Sequence, residues 1–145
     1  MNDLENSVLN RLFTEMGESL RKLKSLSKLS EDEFLGNYEK IDTAKYNFIV
    51  AIEAIIDICN RIISKRQLGF PQDYSDVIKL MGQEGVLQED LVKRLIEMVK
   101  FRNMLVHVYW KIENERLYKY LQENLGDFEA FEEAIRKYLK EVHHK

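Results

Sequence analysis

The stretch FRNMLVHVYW, residues 101–110, sets Arg102, Asn103, His107 and Tyr109 among apolar neighbours, and His107 is the one histidine away from the C-terminal tail. An arginine grips phosphate oxygens through a fixed two-pronged fork. A histidine accepts or donates a proton near neutral pH. An asparagine amide orients a neighbour or donates to an oxyanion, and a tyrosine offers a hydroxyl or a stacking ring. Together these groups suit phosphodiester cleavage without a metal: a ribose 2′-OH is deprotonated and attacks phosphorus while arginine stabilises the crowded negative charge. On a continuous helix Tyr109 returns to within about 20° of Arg102, Asn103 and His107 are i, i+4 neighbours, and Arg102 and His107 point about 140° apart. One straight helix therefore does not aim Arg102 and His107 at a single point. A bend, long side chains reaching round, or a second subunit must complete the site. The reaction wants both a base and an acid, and a two-fold dimer supplies two copies of His107.

Other constellations are weaker. Glu53 and Asp57 lie one turn apart and offer an acid–base or metal-binding pair, but Arg61 and Lys65 follow at the same spacing, so the better reading is a row of exposed ion pairs. Cys59 is the only cysteine, which rules out an intramolecular disulfide and a thiolate zinc cluster, and its place on an apolar stripe assigns it to the core. His143 and His144 fall in the terminal HHK and read as a solvated tail. No phosphate-cradling loop, dinucleotide fingerprint, nucleophile elbow or H-E-x-x-H pattern occurs, so neither metal nor cofactor is expected. The 22 basic and 25 acidic residues leave a net charge of -3, which argues against a general binder of nucleic-acid backbones while leaving room for a local basic site. The seven tyrosines and seven phenylalanines are not interleaved with a basic stripe, as a single-strand binding platform would require.

The elements that must position these groups are helices. At 145 residues, 45% hydrophobic and 32% charged, the chain has the size and balance of one soluble globular domain, residues 1–145. Leu9, Leu12, Phe13, Met16, Leu20 and Leu23 recur at three- and four-residue steps as one apolar stripe. Ser30 and Glu33 have capping-box spacing and predict a helix start near residue 31, with Gly36-Asn37 breaking or bending the chain after it. Ile41, Ala44, Phe48, Ile52, Ile55, Cys59 and Ile62 follow at a mean step of about 3.5 residues, which predicts a long helix packed along a close neighbour and ended by Gly69 and Pro71. Residues 75–81 predict a short helix and Gly82 to Gly85 a turn. Leu87, Leu91, Leu95, Met98, Leu105 and Val106 then line the helix that carries the opening stretch. Two amphipathic helices, near 114–124 and 127–142, meet at Gly126-Asp127. Strand alternation is absent, and the fold expected is an all-α up-and-down bundle. The N-terminus lacks a basic-then-apolar leader, and no apolar run approaches the about 18 residues of a membrane span, so a cytoplasmic protein without a membrane association is expected.

The octamer RNMLVHVY, residues 102–109, resembles the R-x-x-x-x-H-x-Y signature of the HEPN superfamily in its HepT-like branch, in the fuller form R-N-x-L-V-H-x-Y. The resemblance extends to IVAIEAIIDICNRII (49–63), to Pro71 through Tyr74, to LMGQEGVL (80–87) and to the DFEAFEEAIRKYL tail, covering roughly residues 10–140. It implies an all-α homodimer whose motif helices meet at the subunit interface, with Arg102 and His107 as a metal-independent endoribonuclease centre supported by Asn103 and Tyr109. It also implies a toxin role in a toxin–antitoxin system, with RNA as substrate and a cognate minimal nucleotidyltransferase as antitoxin. That partner would silence the site by transferring AMP to the motif tyrosine, here Tyr109. The alternative is a non-catalytic helical module that docks the nucleotidyltransferase, a reading to which the net acidic charge gives some support.

Overall fold

A computed structural model describes residues 3–107 and 113–143, and every element among them is an α-helix. The order is α1 (Asp3–Ser27), α2 (Glu31–Leu35), α3 (Tyr38–Arg66), α4 (Tyr74–Gln83), α5 (Glu89–Val106), α6 (Asn114–Glu123) and α7 (Gly126–His143). The apolar stripe of α1, from Leu9 to Leu23, is buried throughout. It lies chiefly against α3, whose seven stripe residues from Ile41 to Ile62 are also buried. The close helix neighbour expected from the spacing of that stripe is thus α1. The remaining helices close over α3, and no helix among the described residues is long and apolar enough to cross a membrane.

Local chemistry sets the helix boundaries. Ser30 Oγ accepts from the Glu33 N–H at 3.1 Å and Glu33 Oε1 accepts from the Ser30 N–H at 3.1 Å, so the capping box starts α2 at Glu31. Those hydrogen bonds also hold the Glu33 carboxyl below the usual carboxylate range. Asn37 then caps α3 through Oδ1, which accepts from the Glu39 and Lys40 N–H groups at 3.1 and 3.2 Å. The far end of α3 differs from expectation. Gln67 adopts the left-handed conformation (φ 53°), and Leu68 N–H reaches back to Ile63 O at 3.0 Å, a Schellman-type closure that ends the helix before Gly69 or Pro71 is reached. Asp73 Oδ1 caps α4 by accepting from the Asp76 N–H at 2.8 Å. Gly82, read from sequence as part of a turn, lies inside α4, where its bare Cα lets Val92 of α5 approach, and the turn itself falls at Glu84 and Gly85 (φ 76°).

Two corrections concern α5. Its buried residues are Leu91, Leu95, Met98, Val99 and Phe101, whereas Leu105 and Val106, expected to pack inward, are only partly buried. The helix also stops at Val106, with His107 as its C-cap in extended backbone (φ -90°, ψ 112°). Beyond it, α6 is tied down by Tyr118 Oη donating to Leu29 O and Gln122 Nε2 donating to Ser27 O, each at 2.8 Å. The start of α7 is tied to α5 by the Arg94–Asp127 ion pair at 2.8 Å.

Candidate functional site

The site is built where the last turns of α5 meet the middle of α3 and the start of α4. Phe101 is its anchor. Its ring is fully buried, stacked on Tyr120 at 3.9 Å between centroids with 8° between planes, and set edge-on to Phe48 at 5.4 Å. Aromatic neighbours on two sides fix the turn of α5 that carries the next residue, and that residue is Arg102.

The Arg102 side chain is 16% exposed and its guanidinium is held on three sides. Nη2 donates to Glu53 Oε1 of α3 at 2.8 Å. Nη1 donates to Asn103 Oδ1 at 3.1 Å. Tyr74, the first residue of α4, lies beneath the guanidinium with its ring centroid 5.0 Å from Cζ, a cation–π distance. Nε is buried without a hydrogen-bond partner among the described residues. Asn103 has a second role: its carbonyl accepts the His107 N–H at 3.3 Å, the last hydrogen bond of α5. Asn103 therefore links Arg102 on its side chain to His107 on its backbone. His107 is exposed.

Of the four residues singled out from sequence, three lie among the described residues: Arg102 and Asn103 are joined through their side chains, and His107 follows as the C-cap of α5. Tyr109 lies outside the described residues, as do His144 and the side chain of His143. The 140° separation of Arg102 and His107 presumed a helix running through both. Because α5 ends at Val106, the direction of His107 is set by its extended backbone and not by the wheel of α5.

Glu53 and Tyr74 were missed. Glu53 was assigned to an exposed row with Asp57, Arg61 and Lys65, but among the described residues its ion pair is with Arg102. A signal was available, since Ala51, Ile52, Ala54, Ile55, Ile56 and Ile58 are all buried around Glu53 and Asp57. Asp57, Arg61 and Lys65 are exposed as such a row requires, and Glu53 alone is partly buried and turned to Arg102. Asp57, one turn on, has its carboxyl pushed above the usual range by desolvation first, then by the negative charges of Glu53 and Glu15, against the opposing pull of Arg61. Cys59 is fully buried, and burial raises its thiol far above the ordinary value, which leaves it an inert core residue.

A helical domain with an arginine clamped at the end of one helix, beside an exposed histidine that caps it, is the class these observations define. The sequence profile of the Ribonuclease HepT-like family matches residues 16–135. This chain belongs to that family. It is similar to the mRNA nuclease HepT of Shewanella oneidensis, 30% identical over 94% of this chain and 98% of the relative. It is also similar to the tRNA nuclease HepT of Aphanizomenon flos-aquae, 24% identical over 96% of this chain and 95% of that one. Among solved structures, a tri-AMPylated Shewanella oneidensis HEPN toxin in complex with its MNT antitoxin superposes with a TM-score of 0.85 at 27% identity, covering 94% of this chain and 99% of that one. A toxin–antitoxin structure with AMP-PNP gives 0.84 at 25% identity, covering 90% and 98%.

Proposed function

We propose that this protein is the ribonuclease toxin of a toxin–antitoxin pair and that it cleaves RNA at a site containing Arg102 and His107, with no metal ion in the chemistry. The observation that carries the reading is the last turn of α5, where a clamped arginine and an exposed C-capping histidine are joined through Asn103. The nuclease names of the two HepT relatives agree with it. In the reaction, His107 takes the proton of a ribose 2′-OH, the 2′ oxygen bonds to phosphorus, and the bond from phosphorus to the 5′ oxygen breaks. The departing 5′ oxygen receives a proton, leaving a 2′,3′-cyclic phosphate and a 5′-hydroxyl end. Arg102 neutralises charge building on the phosphoryl oxygens, and Asn103 holds both partners in register. In a homodimer with the two sites facing each other, His107 of one subunit serves as base and that of the other as acid.

The antitoxin in this reading is a minimal nucleotidyltransferase, the kind of partner present with the AMPylated Shewanella toxin. The Tyr109 hydroxyl attacks the α-phosphorus of ATP, pyrophosphate leaves, and the AMP added to the motif carries negative charge that repels an RNA backbone. The test is RNA cleavage by purified protein with chelator present throughout. The parent should cut and leave cyclic phosphate ends, while His107→Ala and Arg102→Ala should each abolish cutting and remain folded dimers. If either variant cuts like the parent, the assignment is wrong. If the parent binds the nucleotidyltransferase but cuts no RNA, the chain is a docking module.

A further inference from the structure

Glu53 has no place in the chemistry above, nor does Tyr74, yet both are spent on a single side chain. We propose that Glu53 and Tyr74 are positioning residues that fix the guanidinium of Arg102 in the orientation from which it meets a phosphate. The proposal rests on the ribonuclease reading and adds two residues to it, each from a different helix.

Arg102 lies in the last turns of α5. Its side chain has many rotamers, and holding one of them costs conformational entropy that contacts must offset. Arg102 is largely buried, so its charge needs a partner. The partner is Glu53, whose side chain is 43% exposed against 16% for Arg102. The carboxylate thus stands at the water's edge with the guanidinium behind it. A half-buried pair with its carboxylate in contact with water contributes little to stability, but it sets a direction. Glu53 engages Nη2 and Asn103 engages Nη1, each using one of the two protons on its nitrogen. The remaining proton on each terminal nitrogen is left for a phosphate oxygen. The Tyr74 ring covers one face of the guanidinium, 5.0 Å from Cζ, and restricts a ligand to the edge and the opposite face. Asn103 is adjacent in the chain and follows Arg102 wherever α5 goes. Glu53 and Tyr74 tie the group to α3 and α4, and only such ties prevent it from swinging.

The experiment uses the full chain with Glu53→Gln, Tyr74→Phe and Tyr74→Leu, and reads two quantities. The first is the Arg102 Nε–H resonance in nitrogen-edited spectra, which needs no catalysis. The parent should give one sharp, slowly exchanging signal that broadens or exchanges faster in Glu53→Gln and in Tyr74→Leu, while Tyr74→Phe keeps it. An unchanged signal in Glu53→Gln, or no ordered signal in the parent, overturns the proposal whether or not the protein cuts RNA. The second is the split between kcat and KM. A misaimed guanidinium should lower kcat by roughly 10- to 100-fold, while KM does not rise, because removing a carboxylate beside a polyanionic substrate does not weaken its binding. Tyr74→Phe should recover what Tyr74→Leu loses, since the ring face and not the hydroxyl faces Arg102. A parent-like kcat in Glu53→Gln, or a raised KM with kcat unchanged, overturns the proposal. A parent without cleavage but with the ordered Nε–H signal behaving as expected sinks the ribonuclease reading alone.

Discussion

Phe101→Leu isolates the anchor of the site. Leucine keeps most of the buried volume and loses the aromatic geometry, so the change reads the ring contacts more than a cavity. Two such contacts are lost, the stack on Tyr120 at 3.9 Å and the edge on Phe48 at 5.4 Å. Each aromatic pair contributes about 0.5–1.5 kcal/mol beyond the area it buries, which sums to about 1–3 kcal/mol. For a chain of this size that is roughly 3–10 °C in melting temperature. Urea denaturation of the parent, Phe101→Leu, Tyr120→Leu and the double variant gives the pairwise part directly, expected at about 1 kcal/mol of coupling. Because Arg102 follows Phe101 in the same turn, the variant should also lose RNA cleavage at temperatures where it remains folded. Single-variant effects that add to within about 0.3 kcal/mol would refute the stack as an energetic contact. Full activity in a Phe101→Leu protein that has lost the expected stability would refute its role in placing Arg102.

Asp57 offers a test with a fixed sign in pH. Its folded carboxyl binds a proton more tightly than the unfolded one, because desolvation and the charges of Glu53 and Glu15 outweigh Arg61. Its contribution is therefore favourable at pH below the ordinary carboxylate value and is lost as pH rises through the raised folded value. Asp57→Asn should melt higher than the parent at pH 7, and the advantage should vanish in acid; an advantage that persists unchanged in acid contradicts the assignment. Gly82→Ala tests the α4–α5 approach. The added Cβ would meet Val92 Cγ2 at 2.7 Å, and a β-branched side chain cannot rotate away cheaply. A helix-propensity gain of about 1 kcal/mol is opposed by overpacking of about 1–3 kcal/mol, so the variant should melt lower and Val92→Ala should restore it in the double variant.

Much of the fold was legible because its determinants are local. The burial of the α1 and α3 stripes follows from spacing alone. So does the start of α2, since a capping box is closed by residues three apart. Boundaries failed where a longer-range or less common device took over. Gln67 entered the left-handed region ahead of the glycine and proline expected to end α3, with the closure supplied by backbone bonds that leave little mark in composition. Gly82 read as a turn residue because glycine disfavours helices, whereas here its missing side chain serves a helix–helix contact.

The site shows the same division more sharply. Arg102, Asn103 and His107 are near neighbours in the chain, and residue type and spacing were enough to pick them out. Glu53 is 49 residues from Arg102, and the i, i+4 row that follows it supplied a plausible local partner in sequence. That local reading lost for a physical reason. Glu53 is partly buried and faces the end of α5, so its carboxylate meets the guanidinium that α5 brings to it, whereas Asp57, Arg61 and Lys65 remain exposed. Of the two carboxylates, Glu53 meets a guanidinium at 2.8 Å, and Asp57, exposed a turn away, has its carboxyl raised. The difference between Glu53 and Asp57 is thus made by α5, whose Arg102 lies 49 residues from Glu53 in the chain.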